Sequence, residues 1–477
     1  MTGRAMDEIS RKILTTIQDF LTRLTASSNL TSEQLTEAFM ATTALGYQIA
    51  RMDYPEQARD EVDAAEASLA KAIASDGPPP RERRWREQWS SEAGGMLCAA
   101  IENSAPIDNP DMLDRIRELL VSYHEKMDPV VSAGTRSTYS GGRGDKRDGD
   151  AEESVKELTA DVLEDWLLRS GNAPAGSRVS EFRQLMGGYS KATYIAAVTG
   201  TDGTTSVVIR KDSPGLPTGS SVVGEFPVLG QMHEIGIPVP APLWIEPDAG
   251  LCDGAFMGVA FVDGKPANQI IPEDPVARRK WARSAAEVLG QLHRDTAIEN
   301  GDVREPVARE IDDLERRMLE RERAPHPGLL IGIGWLRQHL DDLRNRPACR
   351  IHGDVGYHNM LMRDDRIAAL LDWEFSRIGD PVEDLASIKP FMDQIEAWDE
   401  FYEIYQSICG FTLDTVADNY FNVWREVRNM VACIGSLNSL MLPGVRAVPL
   451  TVAGTIYIPK YEIAILDAIN TAEGRNV

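Results

Sequence analysis

The chain has 477 residues, of which 43% are apolar and 26% charged, enough for two or three domains with cores of their own and unlike the composition of a disordered chain. Its formal charge of −24 argues against nucleic acid and against an anionic membrane as partners, because both need a basic face. Any phosphate site must therefore be built locally, from a few cations and backbone N–H groups.

Five cysteines (Cys98, Cys252, Cys349, Cys409 and Cys433) are scattered and never in CxxC spacing, which fits a reducing compartment without a disulfide framework or a zinc site. The opening "MTGRAMDEISRKI" has no apolar core of a signal peptide, and no run approaches the ~18 apolar residues of a membrane span. The expected location is the cytoplasm.

In chain order, residues 1–131 read as a helical domain of unknown role. Ile9, Ile13, Ile17, Phe20, Leu21 and Leu24 recur at helical steps, and Thr31 with Gln34 opens a second helix as a capping box. After "DGPPP", further helices are expected around Trp85–Ile101 and Met112–Lys126, and "RERRWREQW" reads as a solvated helix face. Residues 132–153, rich in Gly, Ser and charge, read as a flexible linker. A helix carrying Val155, Leu158, Val162, Leu163 and Trp166 follows.

The pattern then turns to strands. From Arg178 to Gly264 there are apolar runs, a Gly-Gly loop, an Asp-Gly hairpin turn, a helical piece around Glu225–Ile235 and Pro-punctuated strands. Beyond this the chain is mostly helical, with one apolar face marked by Trp281, Ala285, Val288, Leu289 and Leu292 and a short strand pair near Asp372. That order predicts an α+β, two-lobed enzyme, with 154–264 as one lobe plus its preceding helix and 265–477 as the other.

The chemistry concentrates in "IHGDVGYHNMLMRDDRIAALLDWEFSRIGDP", 351–381. Phosphoryl transfer from ATP needs Mg²⁺ held against the phosphates, a group to take the acceptor's proton, and a cover over the phosphates. Mg²⁺ takes oxygen ligands, typically one or two from the protein. Asn359 and Asp372 are such a pair, and Asp354, five residues before Asn359, remains to accept a hydroxyl proton. "RIAALLD" is a short strand that delivers Asp372 at its end.

Over roughly 178–440 these motifs resemble the aminoglycoside phosphotransferase and choline kinase superfamily, small-molecule kinases with a protein-kinase-like fold; residues 1–150 lie outside the resemblance. It implies Asp354 as catalytic base, Asn359 and Asp372 as Mg²⁺ ligands, and His352, Asp380 and Asp384 as bracing for that corner. "MGGYSKATY" would cover the phosphates through Gly187, Gly188 and Ser190. The cation pairing the phosphates falls on Arg210, with Lys211 as the alternative on the opposite strand face. Glu225 is either its orienting partner or an ordinary exposed helix acid. "AFVDG", with Phe261 and Val262, resembles the interlobe connector that meets adenine.

Two features depart from protein kinases: Arg stands where they have Lys, and Asp372 is followed by Trp-Glu, which argues against a mobile activation segment. His358 could be a second base but is expected to face solvent or the loop backbone. The texture is most similar to the phosphotransferases associated with acyl-CoA dehydrogenases, implying an ATP- and Mg²⁺-dependent kinase of a small hydroxylated molecule such as a hydroxyacyl-CoA. An antibiotic kinase is the alternative within the class. A non-catalytic nucleotide-binding module, with the helical N-terminal domain making protein contacts, is the alternative outside it.

Overall fold

The computed structural model describes residues 157–185, 191–201, 203–212, 220–322, 326–437 and 448–475, with helical pieces at 64–65, 67–72, 97–98, 100–101 and 110–121. The expected linker at 132–153 and the expected helices over 9–24 and from Thr31 lie outside these residues. Contacts group the chain into two compact units, 1–140 with 304–344 and 414–477, and 141–303 with 345–413.

The second unit holds the sheet. Its first helix, α1 (Ala160–Arg169), begins at Thr159, whose hydroxyl accepts from Val162 N. Then come β1 (Arg178–Leu185), β2 (Lys191–Gly200), β3 (Gly203–Asp212), α2 (Val222–Glu234), β4 (Pro242–Glu246) and β5 (Phe256–Ala260). The strands form one antiparallel sheet in the order β1-β2-β3-β5-β4. β2 and β3 pair from Lys191↔Asp212 to Gly200↔Gly203, and the positive φ of Gly203 (118°) closes the hairpin that the Asp-Gly pair predicts.

Side chains alternate across β3. Val207 and Ile209 join Leu163, Trp166, Leu167, Trp244 and Phe256 in a buried cluster beneath α1. Trp166 packs its ring 5.1 Å from Trp244 and 5.0 Å from Phe256, and its indole N–H donates to Glu246 Oε2 at 2.5 Å. The opposite face of β3 carries Val208 and Arg210, so one alternation separates core from site.

The rest of the second unit builds the loops. A connector leads to β6 (Lys265–Pro266), which pairs with β8 (Met360–Arg363), and β8 pairs with β9 (Arg366–Leu370). The long helix α3 (Pro275–Asp295) starts with Asp274 capping Ala277 N and Pro275 in its first turn. In the first unit are α4 (Arg304–Arg321) and α5 (Pro327–Gln338). Back in the second, β7 (Cys349–Ile351) pairs antiparallel with β10 (Arg377–Gly379), and α6 (Pro381–Gln394) and α7 (Trp398–Cys409) follow.

Helices α8 (Thr415–Leu437) and α9 (Val448–Ala472) belong to the first unit and pack against each other and against α5. Within that unit the 110–121 helical piece is tied to α9 by an Arg117–Asp467 ion pair. Among the described residues no helix is long and apolar enough to cross a membrane.

Gly258 in β5 lies directly under Trp244, where an added Cβ would sit 2.2 Å from the indole ring. Gly258→Ala should therefore destabilise the protein by about 1–3 kcal/mol, the usual cost of overpacking. Gly224 in α2 has no heavy atom within 4 Å of such a Cβ, so Gly224→Ala should be neutral or stabilising by up to about 1 kcal/mol. Urea unfolding midpoints of the two variants check the contrast; equal midpoints would mean that Trp244 does not occupy this position.

Candidate active site

Three short elements converge in the second unit. The first is the loop after β7. Asp354 follows Gly353, whose φ of 80° and close approach to the Phe375 carbonyl leave no room for a side chain. The side-chain amide N–H₂ of Asn359 donates to both the Asp354 carbonyl and Asp354 Oδ2, each at 2.9 Å. This closes the five-residue span into a ring. With its nitrogen committed, Asn359 turns its amide oxygen away from Asp354.

A buried acid holds that loop from behind. Asp384, in the first turn of α6, accepts from the backbone N–H of His352 and of Gly353, both at 2.8 Å, and meets His293 Nε2 at 3.1 Å. His293 Nδ1 in turn lies 2.7 Å from the Tyr405 hydroxyl. Burial works to raise the Asp384 carboxyl, but the His293 hydrogen bond and charge and the backbone donors outweigh it and hold the group below its usual range. Asp380 caps α6 by accepting from Val382 N at 2.9 Å and receives Arg346 Nε at 2.7 Å.

His352 is fully buried. Its Nδ1 accepts from Asp354 N at 3.2 Å, so its Nε2 carries the proton and donates to the Leu371 carbonyl at 2.9 Å. Burial lowers its pKa, which keeps the imidazole neutral in this role. Leu371 N donates to the Asn359 carbonyl at 2.8 Å. Both bonds grip the residue just before Asp372, which is how the two loops that are separate in sequence come to one place.

Asp372 ends the β9 run with a left-handed backbone (φ 65°, ψ 63°) and a side chain 30% exposed. Arg210 of β3 reaches it from the sheet: Nη2 donates to Asp372 Oδ1 at 2.6 Å while Nη1 pairs with Glu225 Oε1. Burial opposes the charge of Arg210, but Glu225 and Asp372 more than offset it and push its pKa up. Glu225 is fully buried in the first turn of α2, not an exposed helix acid, and burial raises its carboxyl pKa against the pull of Arg210 and Lys191.

Lys211 points away from this group. It lies on the core side of β3, where its ammonium donates to the carbonyls of Asp212 at 3.2 Å and Asp253 at 3.4 Å. Strand alternation excludes it as the cation beside Glu225. Phe261, 45% exposed, and Val262 lie in the connector after β5, with Phe261 N donating to the Ser206 carbonyl at 3.3 Å. Gly187, Gly188 and Ser190 lie outside the described residues.

Asp212, Lys191 and Glu374 escape the sequence reading. Asp212, at the end of β3, receives Val222 N at 3.0 Å and the Ser221 hydroxyl, fixing the start of α2 so that Glu225 faces Arg210. Lys191 and Glu374 form a buried ion pair beside Glu225. His358, expected to face solvent or backbone, is half exposed but places Nε2 3.2 Å from Asp354 Oδ2. Asp212 carries no local signal, because it stands ten residues before Val222; the cap legible in sequence is Ser221, immediately before the helix.

Among the described residues no group of three or more His, Cys, Asp or Glu forms a metal cage. The donors available are the Asn359 amide oxygen and the Asp372 carboxylate, an all-oxygen pair that leaves most coordination positions to water and phosphate. That chemistry fits Mg²⁺ and not zinc.

The chain matches the family described as "Phosphotransferase enzyme family" over residues 181–417. It is 28% identical over 200 residues to acyl-CoA dehydrogenase family member 11 of Rattus norvegicus, covering 40% of this chain and 26% of that protein. The Gallus gallus protein of the same name is 29% identical over 229 residues, covering 46% of this chain and 28% of that one. The chain thus spans about a quarter of the length of the curated relatives it matches. Among solved structures, the choline kinase LicA from Streptococcus pneumoniae is 15% identical with a TM-score of 0.45, covering 64% of this chain and 98% of that one. Through residues 181–417 this chain belongs to the phosphotransferase enzyme family.

Proposed function

We propose that the protein transfers the γ-phosphoryl group of ATP to a hydroxyl of a small molecule, with Mg²⁺ as the required ion. The observation that carries this reading is the shared fork of Arg210. One guanidinium joins the acid of a helix (Glu225) to the acid of the candidate metal loop (Asp372), beside a loop in which Asn359 holds Asp354. A purely structural corner has no need to join a fixed cation to the acids of a helix and a turn next to a carboxylate held by a carboxamide.

In this mechanism Asp354 accepts the proton of the acceptor hydroxyl as its oxygen forms the new bond to the γ-phosphorus and the bond to the β-phosphate oxygen breaks, releasing ADP. Asn359 keeps the Asp354 carboxylate in one rotamer. Arg210 supplies a charge that cannot be lost by deprotonation and a planar fork suited to phosphate oxygens. Asn359 and Asp372 would hold Mg²⁺, which when bound neutralises charge on the β- and γ-phosphates. The connector at Phe261 and Val262 would meet the adenine through backbone groups.

For the acceptor, the proposal is a hydroxyacyl-CoA. Support comes from the curated relatives, named as acyl-CoA dehydrogenase family members, and from the motif texture around Asp372. This is an analogy at the level of family. ADP release should be greater with hydroxyacyl-CoAs than with any aminoglycoside at equal concentration. Robust kanamycin phosphorylation with silent hydroxyacyl-CoAs would replace the acceptor class while leaving the chemistry intact.

The two acids have different work and should fail differently. Asp354→Ala should bind Mg·ATP nearly as the parent does while turnover falls roughly 10²- to 10⁴-fold, the usual loss for a general base. Asp372→Ala should lose nucleotide affinity and its Mg²⁺ dependence together with turnover. Calorimetric titration of ATP with Mg²⁺ and with EDTA separates them. Parent-like binding and turnover in both variants would sink the phosphotransferase reading.

A further inference from the structure

Lys191 opens β2 immediately after the glycine-rich segment, and its side chain is only 1% exposed. A buried ammonium is tolerated when it is paired and hydrogen-bonded. Its partner is Glu374, 3% exposed and two residues after Asp372. Ser220 completes the triangle, accepting from Lys191 Nζ at 3.0 Å and donating to Glu374 Oε2 at 2.5 Å. On the other side of the ammonium, 3.7 Å away, lies Glu225 Oε2, which is buried without a hydrogen bond.

These contacts pin three consecutive residues of the turn to the sheet and α2. Asp372 is held by Arg210, the Trp373 N–H donates to Glu225 Oε1 at 3.3 Å, and Glu374 is held by Lys191. The turn needs such support because Asp372 is a non-glycine residue in left-handed backbone. The charges agree. Three carboxylates (Asp372, Glu225, Glu374) face two cations (Arg210, Lys191), and without Lys191 the Arg210 fork would be the sole compensation for all three.

We propose that Lys191 is a positioning residue for phosphoryl transfer: by neutralising Glu374 and sharing Glu225 it fixes the Asp372 turn and relieves Arg210 of compensating a third carboxylate. The proposal rests on the phosphotransferase reading. It accounts for the Trp-Glu that follows Asp372, because the glutamate is the turn's anchor to β2. It also ties the end of the glycine-rich segment to the candidate metal loop through one ion pair.

The test is Mg·ATP binding by titration calorimetry, with thermal melting as the control for folding. Lys191→Met alone strands a buried carboxylate and should melt well below the parent. The double variant Lys191→Met/Glu374→Gln removes both charges and should recover most of the melting temperature. It should nevertheless bind Mg·ATP at least about tenfold more weakly, with the deficit shrinking when EDTA replaces Mg²⁺. Glu374→Gln, isosteric and able to keep the Ser220 hydrogen bond, should show the same Mg²⁺-dependent deficit at smaller size, and Lys191→Arg should retain most of the parent's affinity. A folded double variant, or a folded Glu374→Gln, that binds Mg·ATP like the parent overturns the positioning role while the phosphotransferase reading stands. A parent protein that binds no Mg·ATP overturns both.

Discussion

One guanidinium carries the architecture of the site. Arg210 is the meeting point of a strand, a helix and a turn that are far apart in sequence, and its fork reaches one acid from each partner element. A compact ammonium at this position could not bridge two carboxylates in a fixed plane, so arginine here has a geometric reason as well as an electrostatic one. Burying this many charges costs stability that mutual attraction only partly offsets. Such a cluster is better understood as setting geometry than as adding to the free energy of folding.

The opposite wall of the site is built from hydrogen bonds to the backbone. Asp384 accepts from two consecutive peptide N–H groups, and neutral His352 spans from the Asp354 amide to the Leu371 carbonyl. These bonds constrain the main chain leading into Asp354, while Asn359 holds its carbonyl and its side chain. In the proposed reaction, groups acting on a hydroxyl and a phosphate in one encounter need to be held before the encounter, and this scaffold is suited to that. His293 and Tyr405 extend the support from α6 to α3 and α7.

The acidity of the chain sharpens the point. At −24 overall, the protein offers a polyanionic nucleotide no general attraction. What attraction the proposed site has comes from cations of two neighbouring strands, Lys191 and Arg210, with Lys191 absorbed by Glu374. The balance is local, and the removal of a single charge should redistribute the remainder.

Asp354 and Asn359 could be proposed as a pair from sequence because five residues of loop leave little freedom, and Asp372 because it ends a short apolar run. The α1 helix, the Asp-Gly hairpin and the β8–β9 pair follow from periodicity and turn chemistry, which also act over a few residues. The choice between Arg210 and Lys211 needed one further fact, namely which face of β3 meets the core, and only the cluster beneath α1 decides that. Whether Glu225 is exposed or buried depends on Asp212 capping α2 from the strand before it. The Lys191–Glu374 pair spans 183 residues, and neither residue stands out in its own segment. Local spacing determined which residues are candidates for the proposed chemistry; long-range packing decided which of them meet, because burial and pairing of charge are properties of the assembled sheet, helix and turn and of no segment alone.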